Sequence, residues 1–340
     1  MRVFITGVAG FLGSHLADAF LARGDQVSGC DSLIGGYEDN VPASVEWQKV
    51  DCNNLDWMKR ALRGVDLVYH CAATAHEGLS VFSPHENALN GYAASASVFS
   101  AACSMGVKRV VFCSSMARYG NGERPPPFTE DMRPQPEDPY GVGKYASELL
   151  LKNLAETHGI EWVVAVPHNI FGPRQVYTDP FRNVVSIFAN LMLQRRQPII
   201  YGDGQQQRSF SFCTDDVEPM VRMATQDNVV GETVNIGPDK EVVTVLRVAE
   251  MVAEVLDFSL DPIFKPARPR EVKFAHCSAD RARRLLDYEP KVSLLEGISK
   301  TVEWIRQRTA RVGVKPFSYA SFDLEIDSPK LPETWAKRLF

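Results

Sequence analysis

Two elements far apart in the chain carry residue types and spacings that could do chemistry. Gly7-Val8-Ala9-Gly10-Phe11-Leu12-Gly13 could hold a dinucleotide, and Tyr140-Gly141-Val142-Gly143-Lys144 could put a phenol and an ammonium on one helix face. Glycines permit a tight turn and close backbone approach, and a helix N-terminus offers free N–H groups and a positive dipole end to a pyrophosphate. Such a loop also fits a plain strand-turn-helix. Here Val3-Phe4-Ile5 reads as a buried strand before it, and Phe11 opens a helix after it. Asp31 follows the second strand, where a carboxylate can accept hydrogen bonds from both ribose hydroxyls and repel a 2′-phosphate, favouring NAD over NADP. Asp51, after the third strand, suits either an adenine contact or a surface turn.

Tyr140 and Lys144 are four apart, hence one turn apart on the same face. A free phenol, with a pKa of about 10, is a poor base at neutral pH; a nearby cation and an oxidised nicotinamide would stabilise phenolate. Tyr140 is then a general base, and Lys144 can also bind the nicotinamide ribose. The same pair would equally suit a solvated helix face. Ser114-Ser115 after the strand Arg109–Cys113 favours the chemical reading, since side chains at carboxyl strand ends face the ligand crevice of a parallel sheet. Ser115 could hydrogen-bond the substrate oxygen that Tyr140 deprotonates; a Ser pair there also suits a turn cap.

The elements needed to position these groups are legible. Up to about residue 166, short β-branched runs alternate with amphipathic stretches, predicting an α/β fold with a Rossmann-type doubly wound parallel sheet. Strands are predicted at Arg2–Thr6, Gln26–Cys30, Val45–Val50, Leu67–Cys71, Arg109–Cys113 and Trp162–Val166. Helices are predicted at Phe11–Ala22, Leu55–Leu62, Asn87–Met105 and Gly141–His158. After Pro167 the rhythm breaks, with helices near Phe181–Gln194, Asp215–Gln226, Thr244–Leu256 and Leu294–Arg308 between long loops. The expected division is an NAD-binding domain over residues 1–166 plus part of 210–240, a smaller α/β substrate-binding cap mainly over 167–310, and a C-terminal tail over 311–340.

Composition bounds the rest. With 340 residues, 45% apolar and 23% charged, the chain suits a soluble protein of one large and one smaller unit. A net charge of −5 gives no reason to expect nucleic acid or an anionic membrane as partner. The seven scattered cysteines show no disulfide framework or zinc spacing, so reduced thiols in a cytoplasmic protein are expected. A strand predicted from Arg2 leaves no room for a signal peptide, and no apolar run is long enough for a membrane span. Without HExxH or clustered His and Cys, no metal is expected.

The chain resembles the extended short-chain dehydrogenase/reductase family of NAD-dependent sugar-nucleotide epimerases and dehydratases, over nearly all of residues 1–310. Besides the pieces above, the resemblance rests on Pro167-His168-Asn169-Ile170-Phe171-Gly172-Pro173, Tyr201-Gly202-Asp203-Gly204, Arg208-Ser209-Phe210 and Asn235-Ile236-Gly237. It implies Ser115, Tyr140 and Lys144 as catalytic residues. For NAD it implies Gly7, Gly10, Phe11, Leu12, Gly13, Asp31, Asp51 and Cys52, then Cys71, Ala72, Ala73, Ser114 and Pro167, with Tyr140 and Lys144. For the nucleotide sugar it implies Ser115, Asn169 and His168, with Arg208 and Arg268 on the pyrophosphate. A planar guanidinium suits bidentate phosphate binding. Arg268 in Arg268-Pro269-Arg270-Glu271 also fits a surface loop charge.

The resemblance also narrows the reaction. The family's 4,6-dehydratases have an Asp-Glu pair where this chain has Met116-Ala117; its decarboxylases keep Glu, and its GDP-mannose 3,5-epimerases Cys, at the position of Ala117. None of these is present, so a 4-epimerase acting on a UDP-hexose through a 4-keto intermediate is expected. Departures fall around the sugar: the run Ala72-Ala73-Thr74-Ala75-His76-Glu77-Gly78 lacks the basic residue common in 4-epimerases, Asn87 and Asn90 compete for one family position, and His168 replaces an aromatic. Another sugar-nucleotide enzyme of the family, a hydroxysteroid-type reductase and a non-catalytic NAD-binding regulator are the rival readings. Relatives pair the helices corresponding to Asn87–Met105 and Gly141–His158 into a four-helix interface, implying a homodimer.

Overall fold

The computed structural model describes residues 1–313, 315–319 and 324–340; part of the expected tail, residues 314 and 320–323, lies outside the described residues. Seven parallel strands form the main sheet: β1 Arg2–Thr6, β2 Gln26–Asp31, β3 Glu46–Lys49, β4 Leu67–His70, β5 Arg109–Cys113, β6 Glu161–Pro167 and a last strand Thr233–Ile236. Their order is Thr233–Ile236, β6, β5, β4, β1, β2, β3. The chain leaves β1 toward β2 and β3, then returns to place β4 on the other side of β1. That reversal leaves a crevice beyond the carboxyl ends of β1 and β4.

The strands read as continuous apolar runs because both faces are covered. In β5, Val110 and Phe112 belong to the apolar core on one face, and Val111 and Cys113 to the core on the other. At the start of β5, buried Arg109 pairs with Glu161 at 2.6 Å and donates to the carbonyls of Met223 and Gln226. A third apolar core lies in the C-terminal half, among Phe171, Phe188, Leu191, Val248, Val252 and Ile298. Smaller two- and three-stranded sheets accompany it.

Arg2–Thr6, Phe11–Ala22 and Arg109–Cys113 form as the sequence predicts. Several boundaries differ for local reasons. Asn183 accepts a hydrogen bond from Val185 N at 2.9 Å and starts a helix at Val184, which leaves Phe181 and Arg182 in the preceding loop. The stretch predicted as one helix from Asn87 begins at Pro84 and is interrupted by a π turn over Leu89–Ala93 before continuing as Ala94–Met105. The helix predicted to end at Arg308 runs to Val312. The short strand Thr233–Ile236 and the helix Asp280–Leu286 are additional to the predicted elements.

Candidate active site

A cavity of about 450 Å³ opens at the crevice beyond β1 and β4. Its floor is the glycine loop. Gly7 takes φ +72° and donates to the Cys30 carbonyl at 2.8 Å, and Gly10 donates back to the Gly7 carbonyl at 3.0 Å. A Cβ on Gly7 would lie 2.9 Å from Ala72 N, and one on Gly13 would lie 2.1 Å from the Gly7 carbonyl oxygen. The loop is therefore bare backbone pressed against the end of β4, with Phe11, Leu12 and Gly13 bringing the helix N-terminus to the cavity wall.

Asp31 ends β2 and also lines the cavity. Its carboxylate accepts from Ala9 N at 2.9 Å and Leu33 N at 2.7 Å. Burial raises its pKa, opposed by those amides and by Arg182. Asp51 and Cys52 line the same side, with Asp51 held by Asn53 N at 2.8 Å. Cys71, Ala72, Ala73, Ser114 and Pro167 line the wall above the other strands. A backbone cradle at a helix N-terminus, with a carboxylate one strand away, fits the pyrophosphate and ribose of NAD.

Tyr140 and Lys144 come to the cavity on the helix Pro139–His158. Asp138 caps that helix by accepting from Gly141 N at 2.9 Å, Pro139 opens it, and Gly159 ends it at φ +73°. Ser115 lies at the end of β5, its Oγ accepting from Ala117 N at 3.2 Å and within hydrogen-bonding reach of Tyr140. Burial raises the Tyr140 pKa; the Ser115 hydrogen bond opposes this, and Glu77 and Asp138 add to it. Burial lowers the pKa of Lys144, whose ammonium sits 5.9 Å from the Tyr140 ring centroid. Burial thus favours the neutral phenol and works against the ammonium, and a positive charge added beside Tyr140 would favour phenolate. Behind them Ser114 donates to Glu148 at 2.5 Å, and Glu148 pairs with Arg118 at 3.2 Å, all three buried. Met116 and Ala117 put no carboxylate beside Ser115, and the Tyr140 helix closes on them: a Cβ on Gly141 would lie 2.6 Å from the Ala117 carbonyl oxygen.

Asn169, Arg208 and Arg268 line the far end. Asn169 takes φ +46° and donates to the Ser209 carbonyl at 2.8 Å. Arg208 donates to the carbonyls of Gln207 at 2.8 Å and Val272 at 2.5 Å; burial lowers its pKa. Arg268 pairs with Glu271 at 2.7 Å and packs over the Tyr201 ring. Burial disfavours its charge, and Glu271 outweighs that.

His168 is a correction. It is fully buried away from the cavity, donating from Nε2 to the Pro238 carbonyl at 3.0 Å, and burial lowers its pKa to about 4. Pro167 and Asn169 line the cavity while the residue between them does not, the left-handed backbone at Asn169 turning its side chain inward just beyond the strand end. His76 is also structural in its contacts, with Nε2 2.7 Å from Asp179 Oδ2. Of the two asparagines, Asn90 in the π turn lines the cavity and Asn87 does not. Sequence reasoning missed Glu77, Asp138, Arg182, Tyr201 and Phe340, which also line it. An acidic residue in a loop after a strand of the parallel sheet was the available signal for Glu77.

Among the described residues, no helix is long and apolar enough to cross a membrane, and no group of three or more His, Cys, Asp or Glu side chains could hold a metal ion. All seven cysteines are free.

The chain is similar to known proteins over most of its length. The profile of the NAD dependent epimerase/dehydratase family matches residues 3–237. The chain is 32% identical over 320 residues to a UDP-glucose 4-epimerase of Mycolicibacterium smegmatis, covering 91% of this chain and 100% of that protein. It is 30% identical to UDP-glucuronic acid decarboxylase 1 of Arabidopsis thaliana, covering 91% of this chain and 70% of that protein. In structure it is similar to the UDP-glucose 4-epimerase of Thermotoga maritima solved with UDP-glucose, at TM-score 0.85 and 30% identity, covering 91% of this chain and 99% of that one.

Proposed function

Because the chain belongs to the NAD dependent epimerase/dehydratase family, we propose that it modifies a UDP-sugar and, specifically, inverts C4 of a UDP-hexose through a 4-keto intermediate. Its relatives divide between 4-epimerases and decarboxylases. The observation that carries the epimerase reading is the absence of a carboxylate at Met116 and Ala117, beside an assembled Ser115, Tyr140 and Lys144.

NAD, held by the glycine loop and Asp31, would supply a reversible hydride acceptor for the sugar carbon. Tyr140 removes the proton of the C4 hydroxyl, with Ser115 holding the same oxygen and Lys144 favouring the phenolate. The backbone of the glycine loop and Asp31 hold the cofactor. Asn169, Arg208 and Arg268 hold the nucleotide diphosphate, leaving the ketone room to turn and present its other face. Tyr140 then returns the proton. The cavity walls exclude bulk water while the ketone exists.

In this reading residues 1–166 with part of 210–240 bind the cofactor, residues 167–310 the sugar nucleotide, and 311–340 form a C-terminal tail. Two helices expose Val142, Leu149, Leu89 and Tyr92, which supports a homodimer through a four-helix interface. Sedimentation showing only monomer at micromolar concentration would count against it.

The test is conversion of UDP-glucose to UDP-galactose, followed by product stereochemistry, in wild type and Tyr140→Phe. The expected result is interconversion without net NADH and a loss of at least about a hundredfold in Tyr140→Phe. Release of CO2 from UDP-glucuronic acid as the main activity would instead establish the decarboxylase reading that the similarity to UDP-glucuronic acid decarboxylases suggests.

A further inference from the structure

One stretch of cavity wall lies between the Tyr140 phenol and the two arginines. It is the turn after β4 that leads into the short helix Glu77–Ser80. Glu77 is exposed to the cavity there, and its carboxylate makes no hydrogen bond or ion pair with any other described residue.

Two contacts fix where the turn that carries that carboxylate stands. Ser80, one turn on, accepts from the Tyr140 backbone N–H at 3.2 Å, tying the Glu77 turn to the first turn of the catalytic helix. Gly78, the next residue, faces Arg268: a Cβ there would lie 3.4 Å from the guanidinium. Glu77 is thus anchored beside the reacting phenol at one end and the anion-binding pair at the other, alongside the space for a sugar ring. Its charge reaches both ends, raising the pKa values of Tyr140 and Asp138 and favouring the charged forms of Arg208 and Arg268.

Among the described residues, the cations lining the cavity already have partners: Arg182 pairs with Asp179 at 2.9 Å, Arg270 with Glu137 at 3.0 Å, and Lys144 donates to the Cys113 carbonyl at 2.7 Å. Arg268 is engaged by Glu271 at 2.7 Å, and Arg208 donates to backbone carbonyls. The phosphates of a nucleotide would engage what capacity these arginines retain. A carboxylate on the sugar would therefore meet Glu77 as an unscreened like charge, whereas a hydroxyl or amine would donate to it.

We propose that Glu77 determines sugar specificity: it accepts a hydrogen bond from a hydroxyl or amino group of the sugar and excludes uronic acids. The substrate is then a nucleotide hexose or amino hexose. This rests on the nucleotide-sugar reading above, and it discriminates between the two chemistries of the relatives without reference to the catalytic triad.

The experiment is isothermal titration of the purified protein, wild type, Glu77→Gln and Glu77→Lys, with UDP-glucose and with UDP-glucuronic acid at physiological salt. Wild type is expected to bind UDP-glucose at least about thirtyfold more tightly than UDP-glucuronic acid. Glu77→Gln should narrow that gap about tenfold, chiefly by tighter binding of the uronic acid, and Glu77→Lys should reverse the preference. A gap unchanged within twofold in both variants, or a wild type that prefers UDP-glucuronic acid, overturns the role of Glu77 and leaves the nucleotide-sugar reading standing. Binding of neither compound by wild type overturns that reading and this proposal with it.

Discussion

The ammonium of Lys144 donates to the main-chain carbonyl of Cys113 at 2.7 Å. That carbonyl is the last of β5, directly before Ser114 and Ser115, so one side chain ties the catalytic helix to the strand end that carries its hydroxyl partner. Lys144 also lies 4.9 Å from the Phe112 ring centroid. It is held by a backbone carbonyl and aromatic surface, and the Glu148 carboxylate favours its charge electrostatically without pairing with it directly.

Lys144→Met should therefore remove charge while filling most of the space. We expect turnover of UDP-glucose to fall by about a hundredfold or more, with the pH at which activity rises moving upward, because the phenol loses the cation favouring its ionised form. A pH–rate profile measured beside wild type checks this. An unchanged profile with lower turnover would mean that Lys144 acts only through cofactor binding.

Gly13→Ala tests the cradle. The new Cβ would lie 2.1 Å from the Gly7 carbonyl oxygen and 3.1 Å from Val8 Cα. Both are backbone atoms, so the helix must move away from the loop. The expected cost is about 1–3 kcal/mol of stability together with loss of co-purifying NAD, read by chemical unfolding and by cofactor absorbance. A variant that kept its NAD would show that the loop has slack which the packing denies.

Asp138 supplies a pH dependence with a definite sign. Burial and the neighbouring Glu77 push its carboxyl up to about 7, despite the hydrogen bonds from Gly141 N and Ser80. In the unfolded chain it titrates near 3.8. Between these values the folded protein binds the extra proton, so the contribution of this group is fully present below the lower value and is lost as pH rises through the upper one. Asp138→Asn keeps an oxygen for the helix cap and cannot ionise. Wild type should lose about 1–2 kcal/mol relative to Asp138→Asn between pH 5 and pH 8 in urea melts; a constant difference would contradict the shift.

The sheet and the chemistry at its edge were legible for different reasons. Strands such as Arg109–Cys113 stand out because burial on both faces demands uninterrupted apolar residues. The glycine loop stands out because only glycine allows the backbone contacts found at Gly7 and Gly13. His168 was misjudged because residue type does not reveal which side of a strand end a side chain takes, and Asn169 took the cavity side. The strand Thr233–Ile236 is too short to show a period, and its pairing with β6 is a long-range contact that no local pattern encodes. Glu77 carried only the weak signal of an acidic residue in a loop after a strand; what makes it distinctive is its nearness to Arg268 and Tyr140, far away in sequence. The π turn that carries Asn90 inward likewise has no local signature.

The tail provides the last test, because its packing reaches the cavity. Trp335, 3% exposed, lies 5.0 Å from Phe181, 6.0 Å from Phe82 and 6.4 Å from Tyr201 between ring centroids. Thr334 meets the Tyr201 hydroxyl at 2.5 Å, and Tyr201 in turn lies under the Arg268 guanidinium. Removing the indole should loosen Tyr201 and, through it, the arginine placed to meet phosphate. Trp335→Ala is expected to cost about 3–5 kcal/mol, so the milder Trp335→Phe, still able to fill part of the space, is the variant for kinetics. It should raise KM for the nucleotide sugar about three- to tenfold and leave kcat nearly unchanged, since Ser115, Tyr140 and Lys144 are carried by β5 and its neighbouring helix rather than by the tail. A fall in kcat at constant KM would show instead that the tail governs the position of the reacting carbon, and that the link through Tyr201 to Arg268 is not the route by which it acts.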